Sequence, residues 1–146
     1  MVVRFTIPGE PKGKGRPKFR RQGNFVRTYT PEATANYENL ICVEFERQCP
    51  GAYFEKSVAL EMTIIGYYAI PKSASKKDRA LMLGRKKRPI KKVDSSNLTK
   101  AVEDALNGVA YWDDVQIVDT IVRRFYDERP RVEVTLKEAE ICDTLV

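Results

Sequence analysis

The sequence contains no histidine and only three cysteines among its 146 residues. Without histidine, the chain cannot build a Ser-His-Asp or Cys-His catalytic group, a histidine-dependent nuclease centre or a histidine-ligated zinc site. Cys42, Cys49 and Cys142 are odd in number and none is spaced as a Cys-x-x-Cys pair, so we expect reduced, buried thiols. Any catalytic acid or base must therefore be a carboxylate, a lysine, a tyrosine or a metal-bound water.

Long apolar runs are also lacking. No segment approaches the roughly 20 residues that a membrane-spanning helix needs, and the N-terminus, MVVRFT, lacks the apolar stretch of a signal peptide. We therefore expect a cytoplasmic protein with no membrane partner. The glycines around Lys14 do not have the spacing of a Walker motif, so no nucleotide cofactor is expected either.

Positive charge is the main feature of the composition. Lys and Arg total 26 against 20 acidic residues, which gives a net charge of +6 and a pI near 9.3. The cations cluster in two segments, 8–28 and 71–92, which read as basic loops and suit the phosphate backbone of a nucleic acid. The residues predicted to contact DNA are Lys12, Lys14, Arg16, Lys18, Arg20, Arg21, Arg27, Lys86, Lys87, Arg88, Lys91 and Lys92.

Hydrophobic periodicity predicts secondary structure in the order β-α-β-α-β-β. We expect strands at 2–7 and 58–68, helices from Thr30-Pro31 to about 47 and from 96 to about 107, and a final hairpin of strands 115–126 and 131–137. A short helix near 76–83 interrupts the second basic loop, and the tail after 138 is expected to fray. This order predicts a single two-layer α+β domain over residues 1–146, with a small mixed β-sheet and helices packed on one face.

Carboxylates flank the second long helix. Asp94 precedes it, Asp113 and Asp114 follow it just before a strand, and a helix joined to a strand in this way can bring Asp94 near Asp114. Two carboxylates about 4 Å apart repel by roughly 4 kcal/mol at an effective dielectric constant of 20, so they favour a shared cation. Mg²⁺, which prefers oxygen ligands, would supply it. With Lys91, Lys92 and Lys100 nearby, the segment predicts a metal-dependent phosphodiesterase site.

Three short motifs lie in this region: DSSNLTK at 94–100, DALNG at 104–108 and DDVQI at 113–117. Together they resemble the signature of RusA-type Holliday junction resolvases. The N-terminal motifs PGEPK at 8–12, GRPK at 15–18 and RTYTP at 27–31 are similar to the phage and prophage branch of that family. The resemblance covers roughly residues 2 to 137.

The resemblance implies a homodimeric, Mg²⁺-dependent endonuclease that makes paired nicks in four-way DNA junctions during recombination or repair, with Mn²⁺ as an alternative ion. In that family three aspartates and one lysine carry the activity. Asp94 matches the first aspartate, Lys100 the lysine and Asp114 the third aspartate, and Asp113 is expected to orient a ligand or act as one. The second aspartate of the family pattern falls on Ser96, where this chain departs from it.

That departure leaves three interpretations open. Ser96 binds the metal directly or through water, while Asp113 or Asp104 makes up the missing charge. Alternatively, Ser96 is the N-cap of the following helix, with its hydroxyl oxygen accepting a backbone N–H. In the third interpretation, the site binds metal weakly and cuts slowly or not at all.

Each candidate residue also has a structural explanation. Lys100 and Asp104 have the i,i+4 spacing of a surface ion pair, and Asp94 would be favourable at the positive end of a helix. Two other functions therefore stay open: a non-catalytic junction-binding protein on the same fold, and a nuclease acting on flaps, forks or structured RNA. A ribosomal or DNA-packing protein would fit the charge but leaves the carboxylates unexplained.

Overall fold

The computed structural model describes residues 1–15, 18–23, 25–29 and 32–141, with the backbone alone described at 18–22 and 25–29. The strands are β1 (Val2–Pro8), β2 (Lys18–Gln22), β3 (Phe25–Tyr29), β4 (Leu60–Ala69), β5 (Ile117–Asp127) and β6 (Arg131–Glu138). The helices are α1 (Glu32–Gln48), α2 (Lys76–Leu83) and α3 (Ser95–Leu106), and a 3-10 turn, Asp114–Gln116, precedes β5. The predicted cap at Thr30-Pro31 and the last five residues, 142–146, lie outside the described residues.

The main sheet has the strand order β1-β6-β4-β5, with β4 and β5 parallel and the other neighbours antiparallel. The predicted hairpin of the last two strands is therefore wrong, because β4 lies between them. The short connection after β5 can cross the end of β4, since four residue steps span about 13 Å and two strand spacings need only about 10 Å. The central place suits β4, because Leu60, Met62 and Ile64 are fully buried.

A second, two-stranded sheet lies within the first basic segment. β2 and β3 pair antiparallel, with Gln22 opposite Phe25, and Gly23 between them has a φ of 61°. The prediction of one long irregular loop over 8–28 is therefore wrong for the hairpin. The dipeptide Gly-Asn at 23–24 is a typical sequence for a two-residue hairpin turn and was the sequence signal for it.

α1 and α3 pack together on one face of the main sheet, so the predicted α+β class is confirmed. The apolar residues predicted for α3 are all buried: Leu98, Ala101, Val102, Ala105 and Leu106. Gly66 lets α3 lie close to β4, because a Cβ there would stand 3.0 Å from Cδ2 of Leu98. α2 is separate from this layer and contacts β5.

The cysteines within the described residues are free thiols, as predicted. Cys42 and Cys49 are half-buried, and Sγ of Cys42 donates to the carbonyl oxygen of Ala105. Burial raises the pKa of both thiols, which keeps them protonated and unreactive. Cys142 lies outside the described residues. Within the described part of the chain, the longest helices are too short or too polar to cross a bilayer.

Candidate active site

The N-terminus of α3 is capped by Asp94. Its side-chain Oδ1 accepts a hydrogen bond of 2.8 Å from the backbone N–H of Asn97, and Asp94 itself has extended backbone angles. The alternative in which Ser96 caps the helix is therefore wrong. Ser96 lies in the first turn with its side chain exposed. A carboxylate is a favourable cap because it satisfies a free N–H and complements the helix dipole.

The backbone leading into α3 is fixed by two strands of the sheet. The Val93 carbonyl oxygen accepts hydrogen bonds from Oη of Tyr68 on β4 (2.6 Å) and from Nη1 of Arg124 on β5 (2.9 Å). The same Arg124 nitrogen donates to the Lys91 carbonyl at 2.6 Å. Burial raises the pKa of Tyr68, so its hydroxyl remains a neutral donor. We call Tyr68 and Arg124, with the Val93 carbonyl, the carbonyl clamp; it fixes the residue directly before Asp94.

The exposed face of α3 carries the predicted lysine. Ser96, Lys100 and Glu103 follow one another at i, i+4 and i+7, so they lie on one side of the helix. The Lys100 ammonium stands 3.2 Å from Oδ1 of Asp104. Burial raises the pKa of Asp104, but hydrogen bonds from Lys14 and Lys100 outweigh it and hold that pKa below its ordinary value. Asp104 therefore stays ionised and restrains Lys100.

The Asp113-Asp114 pair is held in place by Gln116. Oε1 of Gln116 accepts from the backbone N–H groups of Trp112 and Asp113, at 2.9 and 3.0 Å. Its amide nitrogen donates to the carbonyl oxygens of Glu55 and Val58, which precede β4. Gln116 is buried and joins the turn to the sheet. The sequence analysis did not single out this residue, although a glutamine three residues after an aspartate is the spacing of a capping box.

The two carboxyl groups of this pair interact directly. A hydrogen bond with the Asp113 carboxyl is the main cause of a raised pKa at Asp114, followed by burial, while the Lys100 ammonium acts in the opposite direction. Burial and then the charge of Asp114 raise the pKa of Glu103. Lys100, Glu103 and the aspartate pair therefore form one electrostatic group. Glu103 was missed by the sequence analysis, although its spacing from Lys100 places it on the same face of α3.

The electrostatic group therefore contains Asp114, Asp113 and Lys100, whereas Asp94 lies at the N-terminus of α3. Lys100 follows Asp94 by six residue steps, which is about 9 Å along the helix axis. Within the described residues, no three carboxylates or thiols converge as a ready metal cage. The position where the family pattern has its second aspartate is occupied by Ser96.

The donor chemistry of Asp113 and Asp114 fits a hard divalent cation. A hydrogen bond with the Asp113 carboxyl, burial and then the charge of Asp113 raise the pKa of Asp114, and a dication would relieve the repulsion between the two charges. The described thiols, Cys42 and Cys49, contact the carbonyl oxygens of Ala105 and Arg4, and the donors described at this turn are carboxylate oxygens.

The first basic segment is fastened to the helices by Lys14. Its ammonium stands 2.8 Å from Oε1 of Glu38 and 2.8 Å from Oδ2 of Asp104. Hydrogen bonds to these two carboxylates raise its pKa. Lys14 was predicted to contact DNA, but in the structure its ammonium group is paired with these two carboxylates. Lys12 is exposed. The side chains of Arg16, Lys18, Arg20, Arg21 and Arg27 lie outside the described residues.

The second basic segment is exposed and close to the Asp94 end of α3. The side chains of Lys86, Lys87, Arg88, Lys91 and Lys92 are all accessible to solvent. Arg85 and Arg88 stack on the ring of Phe125, with each guanidinium carbon 4.4 Å from the ring centre. These contacts fix the segment against β5 and leave its lysines facing solvent.

Comparison with known proteins agrees with this arrangement. Residues 8–137 match the family described as endodeoxyribonuclease RusA. The chain is 33% identical over 138 residues to a Bacillus subtilis (strain 168) protein named uncharacterized protein YqaN, covering 93% of this chain and 96% of that one. It is 28% identical over 133 residues to a Lactococcus phage r1t protein named crossover junction endodeoxyribonuclease rusA, covering 90% of this chain and 91% of that one.

Proposed function

Because this chain belongs to the RusA family of endodeoxyribonucleases, we propose that it resolves four-way DNA junctions by metal-dependent, paired nicking. The phage relative is named for the same class of activity, a crossover junction endodeoxyribonuclease. The observation that best supports the proposal is the group formed by Asp114, Asp113 and Lys100, which combines paired carboxylates with a restrained cation. The exposed second basic segment supports a DNA substrate.

In this proposal Lys100 acts on the scissile phosphate. Its ammonium is restrained by Asp104, 3.2 Å away, and its side chain is 56% exposed, so a phosphate oxygen can reach it. A fixed cation that meets the charge developing on the phosphate stabilises the transition state more than the ground state. Lys14 binds the other oxygen of Asp104 and so limits the positions that Asp104 can take.

Asp94 and Asp114 would hold Mg²⁺, or Mn²⁺ in its place, with Asp113 orienting a ligand and Ser96 contributing a neutral oxygen. When bound, such an ion supplies Lewis-acid chemistry, which polarises the phosphate and activates water. The surrounding protein positions these carboxylates. The carbonyl clamp fixes the backbone before Asp94, and Gln116 fixes the turn that carries Asp114.

Paired nicking requires two sites, which a homodimer with two-fold symmetry would provide. A four-way junction has matching two-fold symmetry, so two identical active sites can meet two equivalent strands. Contacts from lysine and arginine to phosphates recognise backbone and shape and convey little base sequence.

The proposal is tested by cleavage of a labelled four-way DNA junction, with Mg²⁺ or Mn²⁺ against EDTA. We expect symmetric nicks with either metal and none with EDTA. Asp114→Asn should abolish cleavage and leave junction binding within about twofold, because it removes a metal ligand and keeps the shape of the turn. Glu46→Gln, which removes an exposed carboxylate from α1, is the matched control and should cut like the parent.

A second candidate function is a junction-binding protein with little or no cleavage. Ser96 in place of a carboxylate favours it, together with the lack of a ready three-carboxylate cage among the described residues. In this case the parent chain would bind junctions in a salt-sensitive manner without cutting, and Ser96→Asp would restore cutting. Comparing four-way, three-way, flap and duplex substrates, together with structured RNA, separates a resolvase from a nuclease of other specificity.

A further inference from the structure

The outer edge of β5 is open along its first half. β5 is the last strand of the main sheet and pairs only with β4 among the described strands. The first described contact on its outer side is at Arg124, whose carbonyl oxygen accepts a hydrogen bond of 3.0 Å from Nε of Arg88. An edge strand with free N–H and C=O groups is a template for pairing with another chain, and proteins usually cover it.

Exposed apolar side chains are concentrated on β5 and in the segment just before it. Trp112 is 57% exposed, Val115 78%, Val118 60% and Ile121 40%, all within ten residues of the chain. These four are a large share of the exposed large hydrophobic residues in the described part of the molecule, which otherwise are spread over distant elements. Exposed apolar side chains on and just before an open edge strand are typical of a protein–protein interface.

The charges along this edge are arranged for pairing with itself. Asp119 and Arg123 are both exposed and flank Ile121 symmetrically, two residues on either side. Thr120 and Val122 pair with Met62 and Ile64, which are buried under the helices. Asp119, Ile121 and Arg123 therefore share the opposite face of the sheet, because side chains alternate along a strand.

We propose that a second copy of the chain pairs antiparallel along the outer edge of β5, with the two-fold axis at Ile121. This inference rests on the proposed function, because it gives the homodimer its interface. In this register Ile121 lies opposite Ile121 of the second copy. Asp119 of each copy lies opposite Arg123 of the other, which gives two symmetric ion pairs. Opposite charges directly across a strand pair are favourable. Moving the axis to Thr120 or Val122 would place one of these charges opposite Ile121.

The pairing would also complete the DNA-binding surface. Val118 would lie opposite Arg124 of the second copy, where Arg88 is anchored. The basic segment of one copy would therefore stand beside the turn that carries Asp114 in the other. Each Asp114 is seven residues from the axis, so the two sites would lie at opposite ends of the paired strands, at most about 46 Å apart.

Charge reversal tests this register. Asp119→Arg and Arg123→Asp each place like charges opposite each other at two symmetric points, so each should raise the dimer dissociation constant about tenfold or more. The double variant restores both pairs in reversed order and should dimerise like the parent. The matched control is Arg4→Asp on β1, the other edge strand of the sheet, which should have no effect. The dissociation constants come from sedimentation equilibrium, with circular dichroism to establish that each variant is folded.

A cysteine at the axis gives a second, independent measurement. Ile121→Cys places two thiols opposite each other across antiparallel strands, where Cα atoms are about 4.5 to 5.5 Å apart, within the range for a disulfide. Mild oxidation should therefore give a covalent dimer in high yield. Val118→Cys should give little, since its counterpart in the second copy would be distant, and the parent chain controls for the native cysteines.

The outcomes separate the interface from the activity. Loss of the dimer in both single variants with recovery in the double variant supports the β5 interface, whether or not the protein cuts junctions. A parent that is monomeric at tens of micromolar overturns the interface. So does a dimer that resists both single variants, or one that Arg4→Asp dissociates. If the parent is a dimer that resists both single variants and still makes paired nicks, the proposed function stands and the dimer uses another surface.

Discussion

At the scale of single residues, the sequence motif predicted the candidate catalytic side chains but not the residues that position them. Lys100 and Asp114 were predicted from their place in the motif, and the structure brings them into one electrostatic group. Gln116 was not predicted, because its role depends on the carbonyls of Glu55 and Val58, about 60 residues away in sequence. The capping-box spacing from Asp113 indicates the contacts of Gln116 within its own turn, but no local pattern indicates its bonds to distant carbonyls.

Gln116→Met should therefore damage both stability and activity. Methionine has a similar volume but leaves two N–H groups and two carbonyls without partners, so the free energy of unfolding should fall by about 2 to 4 kcal/mol. Junction cleavage should fall at least about tenfold at a temperature where the variant is folded, because the turn with Asp114 is no longer fixed. Urea unfolding and single-turnover cleavage measure the two effects.

Gln48→Met is the matched control for that variant. Gln48 also bridges distant backbone, accepting from the N–H of Thr6 and donating to its carbonyl, but it joins α1 to β1 away from the site. We expect it to lose about 1 to 2 kcal/mol of stability and to cut junctions at the parent's rate. Equal losses of cleavage in both variants would mean that the Gln116 effect reflects general destabilisation alone.

At the scale of elements, the helices and the strands of the main sheet were predictable, whereas the β2–β3 hairpin was missed and the strand pairing was not predictable. The positions of α2 and α3 follow from periodicity and capping, and the structure reproduces them within a residue. The strand order does not follow, because β4 enters between β5 and β6 from far upstream in the chain. Neighbouring strands joined by a short connection usually pair, and here burial of the apolar β4 overrides that tendency.

That insertion has a consequence for the site, since it places Tyr68 of β4 beside Arg124 of β5 and forms the carbonyl clamp. Tyr68→Phe and Arg124→Gln should each release the backbone before Asp94. We expect the Mg²⁺ concentration for half-maximal cleavage to rise about threefold to tenfold, because a looser ligand binds metal more weakly. Junction affinity measured in EDTA should change less than twofold for Tyr68→Phe.

Tyr67→Phe serves as the control for the clamp. Tyr67 is the adjacent residue on β4, and its ring stacks under the Arg131 guanidinium at 3.9 Å on the other face of the sheet. Removing its hydroxyl should leave the Mg²⁺ requirement unchanged. A normal Mg²⁺ requirement in Tyr68→Phe and Arg124→Gln would show that the clamp does not position Asp94.

At the scale of the whole molecule, only some of the positively charged side chains are free to contact DNA. Some cations form ion pairs within the protein, as Lys14 does with Glu38 and Asp104, and others face solvent. The ammonium groups of Lys86 and Lys92 have no side-chain partner among the described residues and lie in the segment leading to Asp94. Composition predicts the total charge, but only the fold shows which cations can release counterions from DNA.

The dependence of junction binding on salt should reveal this difference. Each phosphate contact contributes about 0.9 to the slope of log affinity against log salt concentration. Lys86→Gln with Lys92→Gln should therefore lower the slope by about 2. Lys14→Gln should leave it unchanged while lowering the free energy of unfolding, because that ammonium is already neutralised by carboxylates. Fluorescence anisotropy of a labelled junction in EDTA, from about 50 to 200 mM KCl, measures the slopes. A Lys14 variant that lowers the slope as much as a surface variant would mean that the ion pairs open on DNA binding, so that the first basic segment detaches from α3 and joins the interface.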